Sequence, residues 1–107
     1  MEFKNVSFKH NENNAFVFEN ISLKINSGDF IGIFGPSGSG KSSLISLMMG
    51  FDKASKGEIL MDGVAFREEN AQNWYEKFSY VSQNVFLIDG TIAENIAFGV
   101  NLKDVNF

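Results

Sequence analysis

Short stretches of alternating or continuous apolar residues, separated by polar or glycine-containing turns, recur along the chain. Alternation is typical of a strand with one buried face, and a short continuous apolar run is typical of a strand buried on both faces. These patterns predict strands at residues 1–8, 16–25, 30–34, 58–61, 64–66 and 79–82. The first strand contains a slip in the alternation near Lys4 and Asn5. The run 30–34 (Phe-Ile-Gly-Ile-Phe) has no polar residue, and we expect it to be covered on both faces.

Turn residues separate several of these strands. Residues 26–29 and the pair Asp62-Gly63 have the composition of hairpin turns, because glycine, asparagine and aspartate tolerate positive φ angles. The first turn would join the second predicted strand to the apolar run that follows it. The second would join the strands predicted at 58–61 and 64–66.

Three stretches are predicted to be helical. Residues 42–49 are rich in apolar side chains and have helical length, and Gly50 suits the C-cap of this helix. Residues 74–78 are predicted to form a helical turn. Thr91, with Glu94 three residues later, makes a capping box, which indicates the start of another helix.

Composition and charge exclude several classes of function. The chain has 107 residues, enough for one small domain. Its net charge is −4 and its pI about 4.8, so a nucleic-acid partner is not expected, because phosphate backbones bind basic surfaces. The chain has no cysteine, which excludes disulfides and thiolate metal sites. No apolar run approaches the roughly 18 residues of a membrane span, and the first residues lack the pattern of a signal peptide.

One stretch has a motif that indicates specific chemistry. Residues 35–42 read Gly-Pro-Ser-Gly-Ser-Gly-Lys-Ser, which fits the phosphate-binding loop pattern G-x-x-x-x-G-K-[ST] at every fixed position. The motif lies between the predicted strand 30–34 and the predicted helix 42–49, which is the context that it requires. The alternative is a Gly/Ser-rich loop before an ordinary helix, which would need four fixed positions to match by chance.

The residue types of this loop bind phosphate in different ways. Glycines let successive backbone N–H groups point at one anion, and the helix N-terminus adds unpaired N–H groups and the positive end of a dipole. Lys41 supplies a mobile positive charge for the β- and γ-phosphates, and the hydroxyl of Ser42 is a hard ligand for Mg²⁺. The predicted nucleotide-binding residues are Gly35, Ser37, Gly38, Ser39, Gly40, Lys41, Ser42 and Ser43.

Further stretches narrow the class of phosphate-loop protein. Together with the loop, residues 20–29, 56–63, 80–87 and 90–99 resemble the N-terminal half of an ABC transporter nucleotide-binding domain, of the exporter branch that includes lipid-linked-sugar flippases. The resemblance implies an α/β fold of the P-loop NTPase type, with an N-terminal β-subdomain and the phosphate-loop strand and helix of an incomplete RecA-like core. Residues 1–107 would then be a partial ABC transporter ATP-binding domain that ends at the start of the helical subdomain.

The same resemblance implies roles for two residues outside the loop. Gln83 matches the Q-loop glutamine, a catalytic residue that reaches Mg²⁺ and the attacking water; an amide can serve both contacts. His10 falls where the family usually places an aromatic residue, most often Tyr, that stacks on adenine. An imidazole also stacks, less well than a phenol ring, and Phe16 and Phe8 are the alternatives for this contact.

The resemblance also implies ligands, partners and a location. The ligands would be ATP and Mg²⁺. The partners would be the transmembrane domain of an ABC exporter and a second nucleotide-binding domain, and the location would be the cytoplasmic face of the inner membrane.

Hydrolysis of ATP by this chain alone is not expected. The family takes its catalytic carboxylates from a later Walker B strand, and it also uses a signature motif and a switch histidine, none of which is in this sequence. Asp89 and Asp62 each end an apolar run, but we interpret them as a structural and a turn residue. A nucleotide-binding module without turnover and an inert fragment are the alternatives; another P-loop class, such as a kinase or GTPase, would need motifs that we do not find.

Overall fold

The computed structural model describes residues 1–106, which form a small antiparallel sheet with helices at one face. The strands are β1 (Glu2–Phe8), β2 (Phe18–Lys24), β3 (Lys56–Met61) and β4 (Val64–Ala65). The α-helices are α1 (Lys41–Met49), α2 (Ala71–Tyr75) and α3 (Ile92–Ile96), and single 3₁₀ turns lie at Glu68–Asn70 and Leu102–Asp104. Across this range no helix combines the length and the apolar character that crossing a membrane requires.

The strands pair in the order β2-β1-β3-β4, and each pair is antiparallel. The register of β1 shifts against both neighbours beyond Phe3, and Asn5 has a φ angle of 50°. In a regular strand residues 3 and 6 would face opposite sides of the sheet. The irregularity instead brings Phe3, Val6 and Phe8 into the same buried cluster. The predicted slip in the first strand is therefore confirmed.

The core lies between this sheet and the helices α1 and α2. Its buried side chains are Phe3, Val6, Phe8, Leu47, Ile59 and Trp74. The indole N–H of Trp74 donates to the carbonyl of Met48 over 3.0 Å, so α2 is tied to the C-terminal end of α1. The predicted mixed class of strands and helices is confirmed.

Both predicted turns form, but they differ in what they connect. Asp29 donates its N–H to the carbonyl of Asn26 over 3.2 Å, which closes the first turn. Asp62 and Gly63 have φ angles of 51° and 80°, as a tight hairpin turn requires, and they join β3 to β4. Only the second turn connects two strands.

Two predicted strands, at 30–34 and 79–82, are absent, and those predictions are wrong. Phe30 is 103% exposed and Phe34 94%, and Val81 in the other segment is 87% exposed. A segment that is apolar on both faces forms a buried strand only when neighbouring strands bond its backbone and cover it. None of the strands within residues 1–106 pairs with either segment, so both remain irregular and open to solvent.

The predicted helices form with shifted bounds. Helix α1 begins at Lys41 and ends at Met49, and the N–H of its C-cap Gly50 donates to the carbonyl of Leu47. Helix α2 begins at Ala71 instead of at residue 74. The capping box of α3 is confirmed. Thr91 Oγ1 accepts the N–H of Glu94 over 3.2 Å, and a carboxylate oxygen of Glu94 accepts the N–H of Thr91 over 2.7 Å.

The capping carboxylate of Glu94 also has a lowered pKa. The hydrogen bond from the backbone N–H of Thr91, and then the one from its hydroxyl, holds the pKa of Glu94 below its ordinary value. Because both bonds favour the ionised carboxylate, they support α3 at neutral pH. Their support is lost as the pH falls through the lowered pKa.

Gly57 is the position where a side chain would be most disruptive to the sheet. Its φ angle is 78°, and a Cβ would collide with the backbone carbonyl oxygens of Lys4 and Asn5 at the irregular part of β1. We expect Gly57→Ala to lower the free energy of unfolding by about 2–3 kcal/mol, from the unfavourable φ and the displaced backbone together. Urea unfolding followed by circular dichroism measures this loss.

Gly63 provides the matched control, because its φ angle is similar at 80° and nothing lies within 4 Å of a Cβ there. Gly63→Ala should cost only about 1 kcal/mol, the conformational part alone. Equal losses in the two variants would contradict a steric role for the backbone next to Gly57.

Candidate functional site

The phosphate-loop motif leads directly into α1 and leaves donors free at its N-terminus. The first bond within the helix runs from the N–H of Leu44 to the carbonyl of Gly40, over 2.9 Å. The N–H groups of Lys41, Ser42 and Ser43 therefore have no partner inside the helix, and the N-cap residue provides no side-chain cap. Such a helix start suits the binding of an anion.

Gly40 permits a close approach between the loop and the sheet. Its φ angle is 93°, and a Cβ would lie 2.7 Å from a methyl carbon of Val17. A side chain here would push the loop away from the strand region that supports it. Sequence reasoning did not identify Val17 as part of the site, because an apolar residue in a predicted strand has no feature that distinguishes it from core.

The ammonium of Lys41 is held inside the loop. Its Nζ donates to the carbonyls of Gly35 and Pro36, each over 2.6 Å, and to the hydroxyl of Ser39 over 3.4 Å. The loop is closed further by a bond from the N–H of Ser39 to the carbonyl of Pro36, over 3.2 Å. The positive charge is thus centred on the loop by main-chain oxygens, where it can interact with a phosphate that the N–H groups bind.

One cleft collects most of the predicted site residues, and we call it the phosphate-loop cleft. It has a volume of about 630 Å³ and is lined by His10, Val17, Ser37, Gly38, Gly40, Lys41, Ser42, Ser43 and Gln83. The remaining two predicted residues, Gly35 and Ser39, lie in the same loop and accept hydrogen bonds from Lys41. Segments that are 73 residues apart in the sequence, by 83 − 10, therefore line the same space.

The side-chain oxygens that line the cleft suit a hard cation that is coordinated partly by phosphate. Ser42 and Gln83 both line the cleft and both carry neutral side-chain oxygens. In the described part of the chain, no three His, Cys, Asp or Glu residues cluster as a metal site. Mg²⁺ commonly has few protein ligands and completes its coordination with waters and substrate phosphates. The neutral oxygens of Ser42 and Gln83 are compatible with such a site.

The structure distinguishes among the three aromatic candidates for the nucleobase contact. Phe8 is 3% exposed and belongs to the core. The ring of Phe16 has the ammonium groups of Lys9 and Lys56 at 5.5 and 5.3 Å from its centroid, and it does not line the cleft. His10 is exposed and does line the cleft.

Asp62 and Asp89 each follow an apolar run, as the aspartate of a Walker B strand does, but they lie outside the phosphate-loop cleft. Asp62 is in the turn between β3 and β4, and Asp89 is in an exposed segment before α3. The position of Asp62 confirms its interpretation as a turn residue.

Comparison with known proteins identifies the family. The model of the ABC transporter family matches residues 18–106. The chain belongs to the ABC transporter family. This membership confirms the resemblance drawn from the sequence, and the family implies nucleotide binding in general.

Curated relatives of the chain include ABC transporter proteins whose names describe export or lipid flipping. The chain is 42% identical over 98 residues to the ATP-dependent lipid A-core flippase of Escherichia coli K12, and 40% identical over 103 residues to the flippase of the same name from Haemophilus influenzae. It is 38% identical over 99 residues to a putative multidrug export ATP-binding/permease protein of Bacillus subtilis. The alignments cover 92–96% of this chain but only 17–18% of each relative.

An ABC exporter of known structure also shares the fold. A bacterial Atm1-family ABC exporter, solved with ATP bound, matches 94% of this chain with a TM-score of 0.82 and 30% sequence identity. The chain spans 18% of that structure. The expected P-loop fold of an ABC nucleotide-binding domain fragment is therefore confirmed, although the strand at 30–34 is not formed here.

Proposed function

We propose that the chain binds Mg·ATP as part of the nucleotide-binding domain of an ABC exporter-type ATPase. The observation that carries this proposal is the phosphate-loop cleft, in which the loop, His10 and Gln83 line one space. Residues 1–107 correspond, on this proposal, to the partial ATP-binding domain up to the start of the helical subdomain. ATP bound to the related exporter supports the choice of nucleotide.

The loop would hold the phosphates with backbone and charge together. The N–H groups of Gly38, Gly40, Ser42 and Ser43 and their neighbours are the donors, and Lys41 adds a positive charge. The side chains of Ser37 and Ser39 add hydroxyls to the loop. Binding needs no rearrangement of the helix start, because its N–H groups have no partners within α1.

Ser42 and Gln83 would hold the metal ion and orient the water. Mg²⁺, when bound, neutralises charge on the phosphates and links them to the protein. The amide oxygen of Gln83 serves as a ligand and its NH₂ group as a donor to water. His10 would stack on the adenine ring at the other end of the cleft.

The proposed partners are a transmembrane domain and a second nucleotide-binding domain, at the cytoplasmic face of the inner membrane. The relatives' names include permease, export and flippase, which supports a membrane-bound assembly. Exposed apolar side chains between residues 85 and 98 supply a surface for the membrane partner: Val85, Phe86, Leu87, Ile92, Ile96 and Phe98. Turnover is assigned to the assembled protein, because no carboxylate lines the cleft within residues 1–106.

Calorimetric titration of the chain with ATP, in Mg²⁺ and in EDTA, tests this proposal. We expect saturable binding that Mg²⁺ strengthens. Gln83→Ala should weaken binding about threefold to tenfold in Mg²⁺ and change it less than about twofold in EDTA, since the lost contact is to the metal and its water.

Gln72→Ala is the control, because Gln72 is exposed on α2 and bonds only with Glu76, away from the cleft. It should leave both affinities unchanged. An equal loss for Gln83→Ala with and without the metal would contradict its role at Mg²⁺, and absence of any ATP binding by the unaltered chain would overturn the proposed function.

A further inference from the structure

A hydrogen bond between two side chains links the proposed base end of the cleft to its phosphate end. The hydroxyl oxygen of Ser43 lies 3.3 Å from Nε2 of His10, and the two residues are 33 positions apart in the sequence. Ser43 is the third residue of α1, directly after the loop, whereas His10 lies in the connection between β1 and β2. The bond therefore couples the start of α1 to a connection between two strands that is distant from it in the sequence.

The backbone around His10 is already restrained by other contacts. The preceding residue, Lys9, donates its N–H to the hydroxyl of Ser55 over 3.1 Å. The N–H of Val17 donates to the carbonyl of Phe8 over 2.7 Å and closes the base of the connection. What these bonds leave undetermined is the rotation of the imidazole ring itself.

Two side chains contact the ring and restrict that rotation. The ring of Phe8 meets the imidazole at a centroid distance of 5.0 Å and an interplanar angle of 80°, an edge-to-face contact from the core side. Ser43 bonds the Nε2 atom from the loop side. The hydroxyl of Ser43 is thus the polar contact that selects one orientation of the ring.

We propose that Ser43 is a positioning residue for the nucleobase: its hydroxyl orients the ring of His10, while its backbone N–H remains available to phosphate. This inference rests on the proposed function and deepens it. Base and phosphate sites then act as one unit, because the same residue of α1 belongs to both. The competing role is a direct bond from the Ser43 hydroxyl to a phosphate.

A ligand without a base separates the two roles. Binding of Mg·ATP and of Mg·tripolyphosphate is measured by calorimetry for the unaltered chain and for Ser43→Ala. If Ser43 acts through His10, the variant should lose about threefold to tenfold in affinity for ATP and less than about twofold for tripolyphosphate. Equal losses for both ligands would overturn the positioning role in favour of the direct phosphate bond.

Two further variants keep the test independent of general damage to the loop. Ser43→Thr retains the hydroxyl and should restore most of the ATP affinity. In a His10→Ala background, Ser43→Ala should cause no further loss for ATP, because the ring it orients is absent. Additive losses from the two substitutions would contradict the inference.

Ser27→Ala in the exposed 26–29 turn serves as the matched serine control and should leave both affinities unchanged. If the unaltered chain binds neither ligand, the proposed function fails, and this inference fails with it. If it binds both and Ser43→Ala has no effect on either, the proposed function stands and only the positioning role is overturned.

Discussion

Replacing Lys41 with alanine is expected to weaken the binding of Mg·ATP to this chain by about 100-fold, since charge-assisted hydrogen bonds to phosphate are the strongest contacts that the cleft offers. The structure gives a second reason for a large effect. The ammonium bonds the carbonyls of Gly35 and Pro36, so its removal also leaves the loop without its central contact. Calorimetric titration with Mg·ATP measures the loss.

Lys24→Ala is the matched control for that substitution. It removes the same charge from an exposed position on β2, away from the cleft, and should leave ATP affinity within about twofold. Equal weakening by the two variants would mean that net charge, and not the loop, decides binding. Phosphate release by this chain that depends on Lys41 would refute our assignment of turnover to the assembled protein.

Trp74→Ala is expected to produce the largest loss of stability, about 3–5 kcal/mol in the free energy of unfolding. Trp74 is 4% exposed and contacts the rings of Phe66 and Phe78, with centroid distances of 5.2 and 6.3 Å. The substitution leaves a cavity between the sheet and α2 and removes the indole N–H that donates to the carbonyl of Met48. Urea unfolding followed by far-ultraviolet circular dichroism measures the change.

Two variants make the stability result interpretable. Trp74→Phe keeps an aromatic ring but removes the hydrogen bond, and it should cost less than half as much as the alanine substitution. Phe86→Ala deletes an aromatic side chain that is 87% exposed, and it should change stability by no more than about 0.5 kcal/mol. A loss at Phe86 comparable to that at Trp74 would show that the exposed segment packs in solution.

Local signals in the sequence predicted much of the fold and the composition of the loop. The motif at 35–42, the cap at Gly50, the hairpin Asp62-Gly63 and the capping box at Thr91 depend on neighbours within a few residues. The slip near Asn5 was also visible, because it interrupts a regular alternation. These features are all present in the structure.

Features that depend on distant partners were not predictable in the same way. The run 30–34 has the composition of a buried strand, but a strand also needs neighbours to pair with, and residues 1–106 do not supply them. His10 lines the cleft, whereas Phe16 lies against the ammonium groups of Lys9 and Lys56, and no local pattern encodes this difference. The bond between His10 and Ser43 is likewise visible only in three dimensions.

Trp74 has a consequence beyond stability, since it is the only tryptophan in the sequence. Its indole N–H is bonded to Met48 near the C-terminal end of α1, and the N-terminal end of the same helix adjoins the phosphate loop. The tryptophan component of the intrinsic fluorescence therefore originates from a single buried ring in contact with that helix. Its emission wavelength depends on its exposure to water, and will therefore report whether α1 is packed against the sheet, without the need for an attached label.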